Sequence, residues 1–249
     1  MNSIVCMKRV PDSEARIEIS SDGRSIDPAG MKFSMNPFDE YALEQALLLK
    51  EQAGEGRVTA LTLGSDSARD TLRAALAIGA DDAILLRADP ASDGLVVARA
   101  LADAIRGRDF DLVLFGKQAI DDDNMQVPAM VAEMLELPCA TVVTSLELDG
   151  RQATARREVE GGHEVIEFEL PAVISAEKGL NKPRHPSVKG IMMAKRKPLE
   201  EIDVELAESR LELLELSPPP PRPEPQIVGE GPDAVTELVR LLRDEAKVI

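Results

Sequence analysis

Short, continuous apolar runs alternate with longer amphipathic segments through the first half of the chain. Such runs are typical of strands buried on both faces, and they cover residues 4–7, 57–63, 83–86 and 111–115. A segment with helical spacing of its apolar positions follows each run, at residues 37–53, 66–79, 94–106 and 125–135. Four repeats of strand and helix predict an α/β fold with a doubly wound, mostly parallel sheet and helices on both faces.

The pattern changes near residue 140, where apolar and polar positions begin to alternate. The alternating segments are separated by Asp149-Gly150 and Gly161-Gly162. Alternation between glycine-containing turns is typical of antiparallel strands, so we expect a small antiparallel meander at about residues 140–170. A hairpin-like excursion is also expected over residues 17–26, and the apolar run 171–176 predicts a last buried strand.

Charge and proline content divide the remainder of the chain. Residues 178–197 contain seven Lys or Arg and no acid, whereas residues 200–216 contain seven acids and a single base. The proline-rich residues 218–225 predict an extended linker, after which helical spacing resumes. We therefore expect three parts: an α/β domain at residues 1–177, a basic loop at 178–199, and an extended C-terminal arm at 200–249 that ends in a helix.

Composition limits the classes of protein that fit this chain. Of 249 residues 44% are hydrophobic but only 2% aromatic, so the core is aliphatic, and the net charge of −16 argues against sequence-independent nucleic-acid binding. Two cysteines, Cys6 and Cys139, fit a reducing compartment. No apolar run approaches the roughly 20 residues of a membrane span. We expect a soluble cytoplasmic protein that binds no nucleic acid and does not insert into a membrane.

The loop after the fourth predicted strand carries the densest cluster of polar residues. An apolar run ends at Gly116, a polar loop follows, and a helix then begins, which is where α/β folds bind phosphates and nucleotides through backbone N–H groups. Asp123 and Gln126 have the spacing of a capping box. An alternative is that this acidic loop binds no ligand, because its aspartates would repel a phosphate. A phosphate could bind only if the carboxylates turned toward ribose, Lys117 or solvent. A Mg²⁺ bridge is a further alternative.

A second polar turn precedes the first predicted helix. Asn36 is a suitable N-cap and Pro37 suits the first helical position. This turn is either the second wall of the same crevice or an ordinary helix start. His163 and His185 have no Ser or Cys partner nearby in the sequence, so we predict neither a catalytic residue nor a metal site.

The basic residues 178–197 contain apolar side chains between their charges. These are Val188, Ile191, Met192 and Met193. Methionine adapts to partner surfaces, and the segment has no aromatic side chain for stacking on bases. An acidic protein partner therefore fits this segment better than RNA or free phosphate.

Several motifs together resemble a known family. They are SMNPF at residues 34–38, AALAIGAD at 74–81, GKQAIDDD at 116–123, EVEGG at 158–162 and LNKPR at 180–184. In this order and spacing they resemble the beta subunit of electron transfer flavoprotein, and the resemblance extends from Val5 to the C-terminal helix.

The resemblance implies a heterodimeric electron carrier that is not itself an enzyme. Its alpha subunit would hold most of the FAD site, and the beta subunit would hold a structural AMP. Electrons would pass from acyl-CoA dehydrogenases or related enzymes of fatty acid oxidation to a membrane quinone oxidoreductase. The C-terminal arm would pack on the alpha subunit.

The resemblance also implies which residues have these roles. The cofactor crevice would comprise Cys6, Asn36, Pro37, Phe38, Asp39, Leu63, Gly116, Lys117, Gln118, Ala119, Ile120, Asp121, Asp122, Asp123, Asn124, Met125, Gln126 and Val127. Partner docking would use Arg184, Val188, Lys189, Ile191, Met192, Lys195, Arg196 and Lys197, with Val188 at the position of an apolar anchor that is usually leucine.

The chain departs from the family pattern at two places. Met125-Gln126-Val127 stands where Asn-Gln-Thr is frequent, and Ser13 stands where familiar members have a Tyr near the flavin, although Phe38 could approach it. An electron-bifurcating beta subunit with a second FAD in place of AMP, oxidising NADH, is therefore an alternative. Asp122 and Phe38 favour AMP. A stand-alone nucleotide-binding regulator is a second alternative.

Overall fold

The computed structural model describes residues 1–89, 93–221 and 224–249. Residues 222 and 223 of the predicted proline linker lie outside the described part. The strands are β1 Asn2–Cys6, β2 Arg9–Pro11, β3 Phe33–Met35, β4 Arg57–Gly64, β5 Asp82–Arg87, β6 Leu112–Gly116, β7 Cys139–Asp149, β8 Gln152–Val159, β9 Gly162–Glu169, β10 Ala172–Ala176 and β11 Leu199–Asp203. The α-helices are α1 Pro37–Ala53, α2 Arg69–Ile78, α3 Gly94–Ile105, α4 Val127–Leu135, α5 Val188–Ala194 and α6 Val235–Arg240.

Nine strands form one sheet in the order β11-β5-β4-β1-β6-β10-β7-β8-β9. The strands from β11 to β7 run parallel, and β7, β8 and β9 are antiparallel. The predicted α/β class, the mostly parallel sheet and the antiparallel meander are confirmed. The meander is part of the large sheet, because β10 returns to pair with both β6 and β7.

Helices cover both faces of the parallel strands. Consecutive strand residues point to opposite faces, and in β1 Val5 packs into one apolar cluster with α1 and α2, whereas Ile4 and Cys6 pack into another with α3 and α4. Aliphatic side chains and alanine make up nearly all of both clusters, as the low aromatic content requires.

The order of the strands reverses at β1. This strand lies between β4 and β6, so the chain proceeds outward on one side and then on the other. At such a switch point the loops that follow the two central strands diverge and leave a crevice outside the carboxyl ends of the strands. The fold thus places the loops after β1 and β6 side by side.

Three strands were not predicted. Strands β2 and β3 form a separate two-stranded sheet, with Pro11 at the end of β2. Strand β11 extends the large sheet at its edge, parallel to β5. Its Glu200, Glu201 and Asp203 gave it the composition of an acidic surface segment. The predicted excursion at residues 17–26 is closed by one antiparallel bridge between Ile19 and Ile26.

The C-terminal arm is extended and ends in a helix, as expected. Helix α6 continues into a π-helical turn at Leu241–Glu245, and none of its residues is buried. Val235 is 54% exposed and Leu238 is 42% exposed, so their apolar face lacks cover within the described chain. Among the described residues, no helix combines the length and the apolar character that crossing a membrane requires.

Candidate functional site

A crevice opens at the switch point, outside the carboxyl ends of β1, β4 and β6. Its floor is apolar, with Leu63, Val97, Leu101 and Phe115, and its rim is polar. Of the predicted cofactor residues, the crevice is lined by Cys6, Asn36, Asp39, Leu63, Gly116, Lys117, Gln118, Ala119, Asp122, Asn124, Met125, Gln126 and Val127. The other predicted cofactor residues, which do not line it, are Pro37, Phe38, Ile120, Asp121 and Asp123.

Seven lining residues were not predicted from the sequence. They are Met7, Lys8, Gly94, Val97, Leu101, Phe115 and Pro128. Lys8 could have been found, because it follows the strand at which the sheet order reverses. The α3 residues could not, since nothing in the sequence indicates that the start of this helix faces the start of α4.

Asn36 joins the two predicted walls of the crevice. Its Nδ2 donates to the carbonyl oxygen of Gln118 at 2.8 Å and to Asp39 Oδ1 at 2.9 Å, and its Oδ1 accepts from the N–H of Ile120 at 3.2 Å. The predicted start of α1 at Pro37, with Asn36 at the N-cap position, is confirmed, but the Asn36 side chain makes no capping bond. The amide is used instead to hold the loop after β6.

Asp39 is a buried carboxylate that binds three separate segments. Its Oδ2 accepts from the N–H of Lys8 at 2.7 Å, and its Oδ1 accepts from the N–H of Gly116 at 3.0 Å and from Asn36. The end of β1, the start of α1 and the end of β6 thus meet on one side chain. Burial raises the pKa of Asp39 to about 7, against the effect of the three N–H donors.

Gly116 permits the close approach of α1 to the end of β6. A Cβ atom at this position would lie 2.4 Å from Asp39 Oδ1 and 2.7 Å from the carbonyl carbon of Phe38. Carbon cannot approach backbone atoms so closely without displacement. The glycine at the end of the strand is therefore required by packing.

The three aspartates of the loop are bound by Lys8 or by Gln118. Lys8 Nζ lies 2.8 Å from Asp121 Oδ1 and 2.9 Å from Asp122 Oδ2. Burial lowers the pKa of Lys8, but the two carboxylates outweigh it and raise the pKa overall. Asp123 accepts from the side-chain amide of Gln118. Lys8 thus offsets part of the negative charge of Asp121 and Asp122 at one edge of the crevice.

Lys117 is not the partner of these aspartates. Its Nζ pairs with Glu177 and lies 4.7 Å from the centre of the Phe38 ring. The option that the aspartates turn toward Lys117 is wrong, because Glu177 at the end of β10 is closer to that ammonium group.

The loop reaches α4 by a strained path. Asp123 and Met125 have φ values of 50° and 56°, in the left-handed region that few non-glycine residues adopt. Helix α4 begins at Val127, and its N-cap residue Gln126 makes no side-chain capping bond. The predicted capping box of Asp123 and Gln126 is wrong, since Asp123 is bound to Gln118.

The basic segment forms the short helix α5, which the sequence did not predict. Val188, Ile191 and Met192 are 77%, 53% and 70% exposed on it. Lys189, Lys195 and Arg196 are also exposed. These six predicted docking residues lie on one segment of the surface.

Two of the predicted docking residues make contacts within the chain. Arg184 forms ion pairs with the buried Glu44 and with Glu51 on α1. Lys197 Nζ donates to the carbonyl oxygens of Leu76 and Ala80 at the end of α2, at 2.9 Å and 2.5 Å. These cations hold the basic segment on the domain.

Comparison with known proteins gives one consistent result. Residues 25–207 match the model of the electron transfer flavoprotein domain. The chain is 43% identical to the electron transfer flavoprotein subunit beta of Syntrophomonas wolfei, over 98% of this chain and 97% of that protein. It is 42% identical to that of Bacillus subtilis, over the full length of both, and 36% identical to that of Sus scrofa, over 100% of this chain and 99% of that protein.

The buried carboxylate predicts a pH-dependent stability. Because the pKa of Asp39 is raised to about 7 from 3.8, the folded protein binds a proton that the unfolded chain releases, and stability falls as the pH rises between these values. We expect Asp39→Asn to have a lower free energy of unfolding than wild type at pH 5. Its NH2 group is a donor and cannot accept the hydrogen bond from the N–H of Lys8. The difference in free energy of unfolding between the variant and wild type should narrow by about 1 kcal/mol per pH unit up to pH 7, because only wild type loses stability as this group ionises. Urea denaturation of both proteins at several pH values measures this, and parallel pH profiles would contradict it.

The close contact at Gly116 predicts a large effect of one methyl group. Gly116→Ala should lower the free energy of unfolding by about 1–3 kcal/mol, as overpacking of a core does. Gly162→Ala is the matched control, because a Cβ at Gly162 meets no atom within 4 Å. Urea denaturation compares the two variants, and equal effects would show that Gly116 is not sterically required.

Proposed function

Because the chain belongs to the electron transfer flavoprotein family as a beta subunit, we propose that it holds an AMP in the crevice and completes the FAD site of an alpha subunit. In this proposal it carries electrons as part of a heterodimer and has no catalytic residues of its own. The observation that supports it most directly is the crevice at the switch point, where Asn36, Asp39 and Gly116 join the two polar turns.

The chemistry of the crevice suits a nucleoside monophosphate. An apolar floor of Leu63, Val97, Leu101 and Phe115 provides contact for a flat base. Gly94 and Val127 bring the N-termini of two helices to the same crevice, and helix N-termini favour anions. Asp121 and Asp122 do not oppose a phosphate as free charges, because Lys8 binds both of them.

The exposed face of α5 is the surface we propose for dehydrogenases. Arg73 on α2 holds the end of the helix and the residues after it, because its Nη1 donates to the carbonyl oxygens of Ala194 and Lys197 at 2.6 Å and 3.2 Å. Gly190 packs so close to α2 that a Cβ would be 2.2 Å from the carbonyl oxygen of Ala77. A fixed helix loses little freedom on binding, which favours association.

The partners of this surface follow from its charge. Val188, Ile191 and Met192 form an apolar centre beside Lys189, Lys195 and Arg196. An acyl-CoA or related dehydrogenase with an apolar pocket and an acidic rim would complement it. We propose that electrons leave the complex toward a membrane quinone oxidoreductase, in fatty acid oxidation.

We propose that the C-terminal arm packs on the alpha subunit. Leu211 and Leu214 are 64% and 70% exposed, and the apolar side of α6 is exposed as well. Such a series of uncovered leucines is typical of a surface that another chain covers. We further propose a cytoplasmic location, although the rice and Arabidopsis relatives are named mitochondrial.

Identification of the bound nucleotides tests the cofactor proposal. Denaturing the co-purified heterodimer should release one FAD and one AMP. Two FAD and no AMP would instead indicate an electron-bifurcating subunit that oxidises NADH. A chain that purifies alone as a monomer, without flavin, would favour a stand-alone regulator.

A lysine variant tests the assignment of the crevice. Lys8→Met removes the cation that binds Asp121 and Asp122. AMP should then bind roughly ten-fold more weakly, since hydrogen bonds to charged groups contribute about 1.5–3 kcal/mol. Lys32→Met is the control, because Lys32 is exposed. The AMP-to-FAD ratio after dialysis measures the effect, and an equal ratio in both variants would exclude the crevice beside Lys8 as the AMP site.

A valine variant tests the docking surface. Val188→Ala should slow reduction of the complex by its dehydrogenase up to roughly ten-fold at limiting concentrations of the complex, because alanine buries less apolar area than valine. The FAD content should stay unchanged. Val165→Ala, at a position that is 60% exposed on β9, is the control. Unaltered reduction kinetics would remove Val188 from the docking surface.

A further inference from the structure

Asp93 holds the start of α3 at the rim of the crevice. It is the N-cap residue of the helix, and its Oδ1 accepts from the N–H of Leu95 at 2.9 Å. The next residue, Gly94, lines the crevice, where a Cβ would lie 3.7 Å from Val127 Cγ2 at the start of α4. This carboxylate therefore caps a helix whose start lies beside the start of α4.

The second oxygen of the same carboxylate binds the C-terminal arm. Asp93 Oδ2 accepts from the N–H of Arg210 at 2.8 Å and from the hydroxyl of Ser209 at 3.3 Å. The same hydroxyl oxygen accepts from the N–H of Leu211. The N–H groups of Arg210 and Leu95 hold the pKa of Asp93 below its usual value, so it is ionised at neutral pH. The residue is only 4% exposed, and a buried carboxylate that loses a donor is destabilised.

The contact lies where the arm leaves the sheet. After β11 the N–H of Val204 donates to the carbonyl oxygen of Arg87, and the arm then reaches Asp93. Further along, the N–H of Leu216 donates to the carbonyl oxygen of Gly23 at 2.7 Å. Leu211 and Leu214, between these two attachments, are exposed. The segment that presents these leucines is thus fixed at one end to the rim of the crevice.

We propose that Asp93 is a positioning residue that couples the crevice to the arm, so that a bound nucleotide and a seated arm stabilise each other. The inference rests on the proposed function, because it requires a nucleotide in the crevice. Detachment of the arm would remove two donors from Asp93, the N–H of Arg210 and the hydroxyl of Ser209, and would loosen the start of α3. Conversely, a nucleotide that fixes this helix start would strengthen the attachment of the arm, since coupling between two sites is reciprocal.

Replacement of Arg210 tests the coupling without changing any residue of the crevice. Arg210→Pro removes the N–H that Asp93 accepts, whereas Arg210→Ala retains it and is the matched control. In the purified heterodimer, Arg210→Pro should weaken AMP binding about five-fold or more, within the usual range of coupling between sites, and Arg210→Ala should bind AMP as wild type does. Equilibrium dialysis measures both affinities.

Hydrogen exchange separates coupling from a general loss of structure. Addition of AMP should slow exchange of the amides of residues 209–212 in wild type and in Arg210→Ala, but not in Arg210→Pro. If Arg210→Pro does not assemble, Asp93→Ser replaces it, because serine still caps a helix but is too short to bind both α3 and the arm. Equal AMP affinities, or exchange that does not respond to AMP in wild type, would overturn the inference while leaving the AMP site in place. A wild-type complex without any bound nucleotide would overturn both proposals.

Discussion

The buried carboxylate of Asp39 is the interaction on which the site depends. Three segments that are distant in the sequence end on it, and each contributes an N–H donor: Lys8, Asn36 and Gly116. Burial nevertheless raises the pKa of Asp39 to about 7, so the three donors compensate only in part for the lost water. The same arrangement requires a glycine at the end of β6, because a side chain there would occupy the space of the carboxylate. Crevice geometry and local packing therefore have one common cause.

The sequence predicted the parts of the fold that depend on local pattern. Buried parallel strands are continuous apolar runs, and glycine turns mark the meander, so both could be recognised. Strand β11 could not, because Glu200 and Glu201 give an edge strand the composition of a surface loop. The hydrogen-bond partners of Asn36 and Lys8 could not be predicted either. Asn36 binds the carbonyl of Gln118, 82 residues away, and Lys8 binds Asp121, 113 residues away. A helix-capping pattern contains no information about such distant partners.

The positive charges of the chain are divided between structure and surface. Among the basic residues of segment 178–197, Arg184 and Lys197 stabilise the attachment of α5, where they bind carboxylates and helix carbonyls. Lys189, Lys195 and Arg196 stay exposed. In a chain with a net charge of −16, this remaining basic surface would orient an acidic partner toward α5 by long-range attraction. The distinction could not be made from composition alone, since all of these residues look equivalent in the sequence.

Strand β11 has a mechanical consequence for the surfaces on either side of it. It pairs with β5 immediately after the basic segment, and β10 precedes that segment, so the chain on both sides of α5 is anchored in the same sheet. The terminal helix, by contrast, follows a proline-rich tether. A protein held at α5 would keep a fixed orientation to the crevice, whereas one held by α6 would be kept within a distance set by the length of the proline-rich segment. The first attachment would define geometry and the second local concentration.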